Sequence, residues 1–300
     1  MKVAVTGGSG AIGTFVCDEL AKSGHDVTAV DIVPPKIDVP FIELDLGVLD
    51  DTCKALAGFD QVLHLAAIPD PFKDPPERVM SVNMVSTMNV FEAARKNDIR
   101  RVIAASSESA TGFGIHETPY TPQYVPIDEA HPCWPHECYS FTKYFGERMG
   151  ENYARAFGME VISLRWTCVW IKRIEDDLKK IVSAAHEKAV PDLGDPWFGG
   201  YIAPRDLARG WVAAAQWSFP ETAELKFDTF LFSARDTFYG IPTLEVLKVI
   251  YGEVPQTPEP EHFEKNPFAS VFDIRKAQRM LDWNPQLHWR EFGEWETEVS

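Results

Sequence analysis

Long apolar runs are missing from this sequence: every uninterrupted hydrophobic stretch is short of the ~20 residues that a membrane-spanning helix needs, so a spanning helix is not expected. A secretory leader is not expected either, because Lys2-Val3-Ala4-Val5-Thr6 reads as a strand from the outset. Cysteine is sparse. The five (Cys17, Cys53, Cys133, Cys138, Cys168) are odd in number and scattered, which argues against a disulfide framework and fits a reducing cytoplasm. Positive charge is deficient, with 29 Lys and Arg against 45 Asp and Glu and a net charge of −16. Such a surface repels nucleic-acid phosphate and anionic lipid, so neither is expected as a partner. An anionic small ligand stays open, since a local site can oppose the global field. No repeat and no low-complexity tract is present. The prolines gather at 69–76, 119–135 and 255–267, which marks those stretches as loops. What remains is 300 residues, 45% of them hydrophobic, enough for one large domain and a smaller one.

What is present starts at the N-terminus. The apolar run 2–6 meets Gly7-Gly8-Ser9-Gly10-Ala11-Ile12-Gly13, and a helical pattern follows from 11 to 22. The spacing is G-x-G-x-x-G from Gly8 to Gly13. A strand, a tight turn and a helix start form the context in which this pattern binds a pyrophosphate on the free N–H groups of the helix end. Gly7 and Gly8 permit the turn, Gly10 allows close approach of the backbone, and Gly13 lets helix and strand pack. Asp31 ends the next strand, 18 residues beyond Gly13. A carboxylate there accepts the ribose hydroxyls and repels a 2′-phosphate, favouring NAD over NADP.

Strand 41–44 leads to Asp45 and Leu46, with a helix expected over 47–56. Asp45 either receives the adenine amino group or caps that helix. Strand 62–67 runs through His64 into Leu65, Ala66 and Ala67, small residues that leave room for a cofactor across the sheet edge. His64, embedded in an apolar run, reads as a packed core histidine. A helix over 75–96 places Val79, Val82, Val85, Met88 and Phe91 at helical spacing, with polar Asn83 inside the pattern. A fifth strand, 101–105, ends in Ser106-Ser107-Glu108-Ser109. Alternating apolar strands and helices predict an α/β fold, a doubly wound parallel sheet of the Rossmann kind, with ligands at the carboxyl ends of the strands.

Tyr139 and Lys143 are four apart at the start of a helix over 139–157 and so share a face. An ammonium beside a phenol stabilises the phenolate and lowers its pKa toward neutrality, making an acid/base pair for a hydroxyl proton. Alternatively the two stand on a solvated helix face.

With these residues in view, the sequence resembles the extended short-chain dehydrogenase/reductases of the NAD-dependent epimerase/dehydratase type. The resemblance is carried by Thr6 to Gly13, Asp31, Asp45-Leu46, His64 to Ala67, Asn83, Ser106-Ser107, Asp128-Glu129, Tyr139-x-x-x-Lys143 through Glu147, and Leu281 to Pro285. It implies NAD as cofactor and Tyr139 as the acid/base. Lys143 then also holds the nicotinamide ribose, Asn83 supports the site, and Ser107 orients the substrate oxygen, with Ser109 as the fallback. Gly7, Gly10, Ala11, Ile12, Gly13, Asp31, Asp45, Leu46, Leu65, Ala66, Ala67 and Asn83 fall to the cofactor, together with Tyr139 and Lys143. Glu108-Ser109 stands where the family's dehydratases carry Asp-Glu, which argues against dehydration. The run 163–170 lacks the Asn-Val-Tyr-Gly-Pro of many nucleotide-sugar epimerases, and the segment 106–114 is closer to the uronate-dehydrogenase branch.

The expected function is therefore oxidation of a sugar or sugar-acid hydroxyl. A nucleotide-sugar 4-epimerase with tightly bound NAD and a non-catalytic NAD(H)-sensing protein are the alternatives. The resemblance also implies a homodimer through the helices over 75–96 and 139–157. His131, Cys133, His136 and Cys138 are close enough for a zinc check, but the intervening prolines disfavour a tetrahedral set, and no metal is expected. Domain limits are expected at 1–167 for the dinucleotide domain, with a return segment near 195–233, and 168–300 for the smaller substrate-binding portion. There helices are expected over 174–188, 207–217, 243–251 and 272–281 and a strand over 227–233. Trp170, Arg173, Trp197 and Arg205 are candidates for sugar stacking or carboxylate pairing.

Overall fold

The computed structural model describes residues 1–69, 71–72, 74–113, 120–187 and 199–299. Strand and helix alternate along the first half. The order is β1 (Lys2–Thr6), α1 (Ala11–Lys22), β2 (Asp26–Asp31), β3 (Phe41–Glu43), α2 (Leu49–Leu56), β4 (Gln61–His64), α3 (Pro76–Lys96) and β5 (Arg101–Ala105). There follow α4 (Cys138–Phe157), β6 (Glu160–Trp166), β7 (Cys168–Val169), α5 (Glu175–His186), β8 (Tyr201–Ile202), α6 (Pro204–Gln216), β9 (Phe227–Phe232), α7 (Thr243–Tyr251), α8 (Glu261–Lys265) and α9 (Arg275–Leu281).

Seven strands form one sheet in the order β3-β2-β1-β4-β5-β6-β9, and every neighbouring pair is parallel. The chain winds outward from β1 to β3, then returns to build on the other side of β1. That reversal opens a crevice at the carboxyl ends of β1 and β4.

Alternation along each strand divides the core. Val3, Val5, Leu63, Ile103, Ile162 and Leu164 face one side, with Phe15 and Leu20 of α1 and Trp211 of α6. Ala4, Val62, Val102 and Val161 face the other, with Leu56 of α2, Val90 and Phe91 of α3 and Ala154 of α4. Each large side chain so buried contributes roughly 1.5–3 kcal/mol, which is why both faces must be covered. A separate cluster of Trp170, Tyr201, Phe238, Trp289, Phe292 and Trp295 gathers beside β7 and β8, which pair parallel outside the main sheet.

Several elements differ from the sequence expectation: β4 ends at His64 and not at 67, and α2 starts at Leu49 and not at 47. In α3, Val79 and Phe91 are buried, but Val82, Val85 and Met88 are 41%, 38% and 44% exposed, while Asn83, Ser86 and Asn89 are buried. The polar residues go inside because loop backbone meets them there: Asn83 bonds Ile68 and Asn89 donates to Leu46 O. The last helix starts at Arg275 and not at 272, because Phe272 bridges to Ile127 in extended form. α6 starts at Pro204, a residue whose fixed φ and missing N–H suit the first helical turn. Lys188, the expected end of the helix at 174–188, lies outside the described residues.

Candidate active site

A cleft of about 1030 Å³ lies at the carboxyl ends of the strands, lined by the β1–α1 turn, the ends of β2 and β4, the turn after β5, the start of α4 and the chain after β6. Its floor is the glycine turn. Gly7 has φ +73°, and a Cβ on it would lie 2.6 Å from Ala66 N. A Cβ on Gly13 would lie 2.0 Å from Gly7 O, so turn and helix touch only because position 13 is bare. Gly10 is the N-cap of α1, with no side-chain cap and no acidic residue in the first turn. The helix therefore presents its unpaired N–H groups and positive dipole end to the cleft through Ala11, Ile12 and Gly13, while Gly10 N donates to Gly7 O at 3.0 Å. That cradle fits a pyrophosphate.

Asp31 stands beside it at the end of β2. Its two carboxylate oxygens are held by Ser9 N (3.1 Å) and Ile32 N (2.7 Å), and the side chain faces the cleft. Asp45 also lines the cleft, and its Oδ1 accepts from Gly47 N at 2.9 Å. It does not cap α2, whose N-cap is Val48. Leu46, Leu65, Ala66 and Ala67 complete this wall.

Asn83, expected near the cofactor, and His64, expected in the core, both lie behind the cleft. The Asn83 carboxamide accepts from Ile68 N (2.7 Å) and donates to Ile68 O (3.1 Å) and Thr142 Oγ1 (3.2 Å). It joins the turn after β4 to α4 and is absent from the cleft lining among the described residues. His64 is buried between Thr6 Oγ1 (2.8 Å) and Thr87 Oγ1 (3.1 Å), and burial pushes its pKa down to about 3, so it stays neutral.

The opposite wall carries the acid/base candidates. Glu137 caps α4 by accepting from Tyr139 N (2.6 Å) and Ser140 N (2.5 Å), which fixes the first turn of the helix that carries Tyr139. Tyr139 is 8% exposed, and Lys143 Nζ lies 5.4 Å from its ring centroid. Lys143 is buried, donates to Ala105 O at 3.1 Å, and is pushed by burial down to about 8. At neutral pH it still carries its proton and can lower the phenol's pKa.

Ser107 lies two residues beyond the end of β5 and opens a short 3₁₀ turn, Glu108–Thr111. Its Oγ accepts from Ser109 N (3.1 Å), lies 2.9 Å from Ser109 Oγ, and donates to Glu108 Oε2 at 2.9 Å. Gly112 closes the turn at φ +89°, where a Cβ would lie 2.1 Å from Trp134 O. Ser107, Glu108, Ser109, Tyr139 and Lys143 all line the cleft. Behind them Glu147 accepts from Ser106 Oγ (2.5 Å) and is bonded twice by Arg165, at 2.7 Å each. Burial alone would lower Arg165, but the Glu147 charge and hydrogen bonds outweigh it and raise its pKa.

The other sequence candidates scatter. Arg173 lines the cleft. Trp170 is buried in the aromatic cluster, and Arg205 pairs with Asp18 and with Glu296 (2.6 Å). Trp197 lies outside the described residues. His131 Nε2 accepts from Gln123 N at 3.1 Å, and Cys133 Sγ accepts from Arg165 at 3.3 Å, so these two serve the packing of their loop. The sequence reading missed Glu108, Trp166 and Thr167 as cleft residues. Glu108 carried a signal: an acid between two serines directly after a fully apolar strand.

Residues 3–217 match the family model described as the NAD dependent epimerase/dehydratase family. The L-arabinose 1-dehydrogenase (NAD(P)(+)) of Haloferax volcanii is 30% identical over 79% of this chain and 90% of its own. The UDP-glucose 4-epimerase of Corynebacterium glutamicum is 25% identical over 95% of this chain and 91% of its own. Among solved structures, the UDP-glucose 4-epimerase of Thermotoga maritima with UDP-glucose superposes with a TM-score of 0.69, covering 97% of this chain and 96% of that one at 22% identity, which is a likeness of fold.

Proposed function

Because the chain belongs to the NAD-dependent epimerase/dehydratase family, we propose that it is an oxidoreductase acting on a hydroxyl of a sugar or sugar acid. The carrying observation is convergence: Tyr139, Lys143 and Ser107 open onto the same cleft as the bare N-terminus of α1. The α1 end takes the pyrophosphate and Asp31 the ribose hydroxyls, while Leu46, Leu65, Ala66 and Ala67 flank the bound dinucleotide. NAD held there supplies the hydride acceptor. Lys143 keeps the phenolate of Tyr139 accessible, Tyr139 removes the substrate hydroxyl proton, and Ser107 holds the same oxygen. Arg173 offers the cleft a cation for a carboxylate or phosphate on the substrate.

A nucleotide-sugar 4-epimerase is the second reading, favoured by the nearly full-length similarity to a UDP-glucose 4-epimerase. Release of NADH separates the two. Net NADH formed from a free aldose or uronate is expected; epimer formation from a nucleotide sugar without NADH release would replace the first reading with the second. Tyr139→Phe is expected to lower turnover by about 10²- to 10⁴-fold with NAD affinity near wild type. Unchanged turnover would remove Tyr139 from the mechanism. A protein that only senses NAD(H) would lack any turnover to lose.

The portion after residue 167 is proposed to hold the substrate, with the return strand β9 belonging to the dinucleotide domain. A homodimer through α3 and α4 is supported by the exposed Met88 and Phe145. Five free thiols fit a reducing cytoplasm.

A further inference from the structure

Glu108 is an acid in the cleft with no cation bonded to it. It is 5% exposed, and among the described residues its carboxyl has one side-chain partner, Ser107 Oγ. The groups on the elements packed around it are committed elsewhere. On α4, Lys143 donates to Ala105 O and stands over the Tyr139 ring. On β6, Arg165 is held by Glu147. The loop bonded to Thr111 through Trp134 N brings His131, which accepts from Gln123 N, and Cys133, which accepts from Arg165. Arg78 and Arg173 line the same cleft; Arg78 pairs with Asp74 at 2.8 Å, and neither has an ion pair to Glu108 among the described residues.

Ser107 Oγ has one proton and two lone pairs. Ser109 N occupies one lone pair. One proton and one lone pair remain for Glu108, for Ser109 Oγ and for the substrate. If Glu108 is a carboxylate, it takes the proton, and Ser107 can only accept from the substrate. If Glu108 is a neutral acid, it donates to the lone pair, and the serine proton is left for the substrate oxygen. Oxidation needs the second arrangement, because an oxygen losing its proton to Tyr139 is stabilised by a donor, not by another lone pair.

We propose that Glu108 is a positioning residue that directs the Ser107 proton, switching the serine between donor and acceptor toward the substrate oxygen as the carboxyl gains or loses its own proton. This rests on the sugar-oxidoreductase reading. Burial pushes the Glu108 carboxyl up to about 7, so the switch operates near neutrality. Oxidation should fall as the pH rises through that value, and Lys143, at about 8, sets a second and later fall.

The test is Glu108→Gln, whose amide can donate to Ser107 at any pH. NADH formation is followed from about pH 6 to about pH 9 with L-arabinose, D-galactose and D-glucuronate as probe sugars. Wild type should lose about tenfold per pH unit above its midpoint. The variant's alkaline limb should begin about one unit later, where Lys143 governs it. A variant limb at the wild-type midpoint overturns the proposal.

Infrared spectroscopy of the protein alone gives an independent readout. Glu129 is also raised to about 7, so the neutral-carboxyl band of Glu108 is the one lost in Glu108→Gln. The Ser107 hydrogen bond lowers the Glu108 pKa, so Ser107→Ala should move that band's titration upward. No band at about pH 6, or no movement in Ser107→Ala, overturns the coupling. If the band behaves as expected but no probe sugar yields NADH, the sugar reading fails and the Glu108–Ser107 coupling stands.

Discussion

Arg165 and Glu147 are 3% and 0% exposed in their side chains, so two buried charges answer each other across the interface of α4 and β6. Arg165→Met would leave the Glu147 carboxylate with the Ser106 hydroxyl and, at 4.0 Å, the half-exposed Arg148 guanidinium. The expected cost is about 3–5 kcal/mol, read as a lower urea midpoint, and Arg165→Met with Glu147→Leu should recover most of it. If the single variant is as stable as wild type, the pair is not holding α4 to β6. Neither residue announces this in the sequence, since the partners are 18 positions apart and their burial depends on how α4 lies on the sheet. That Tyr139 and Lys143 would open onto one cleft was easier to read, because helix spacing is a local fact, while Ser107 was singled out through the family resemblance. Glu108 was visible as a letter, but its seclusion from water is set by α4 and β6 closing over the turn.

At the scale of elements, the β1-turn-α1 unit could be read outright. Gly10 and Gly13 answer to contacts with Gly7 a few residues away, whereas the close approach of Gly7 to Ala66 is set by the neighbouring strand. Gly13→Ala would drive a Cβ to 2.0 Å from the Gly7 carbonyl, where backbone faces backbone and neither can yield cheaply. The expected result is a lower melting temperature and NAD binding weaker by about tenfold or more, measured calorimetrically; wild-type affinity would show that the turn tolerates separation from its helix. α3 was read less well. Periodicity found a helix but misplaced its inner face, because the decisive partners of Asn83 and Asn89 are backbone groups of loops that no hydropathy pattern encodes. The β7–β8 pair was missed for a similar reason: two-residue strands carry no period.

Across the whole molecule, the first half was far more legible than the second, whose aromatic cluster draws on residues from Trp170 to Trp295 and forms only when the chain has closed on itself. One surface of the closed chain bears on assembly. Gly146 brings α4 against Thr87 of α3, and the next residues, Phe145 and Met88, are left 41% and 44% exposed. Sedimentation at micromolar concentration should show a dimer, and Phe145→Asp with Met88→Asp should reduce it to a monomer; a wild-type monomer would contradict the homodimer. Inside each chain, the carboxamide of Asn83 is a fixed gauge between two banks. It grips both the backbone at Ile68 and the Thr142 hydroxyl of the helix that carries the phenol. Tilting either bank would stretch these three hydrogen bonds, so the width of the channel is tied to a side chain that stands outside it.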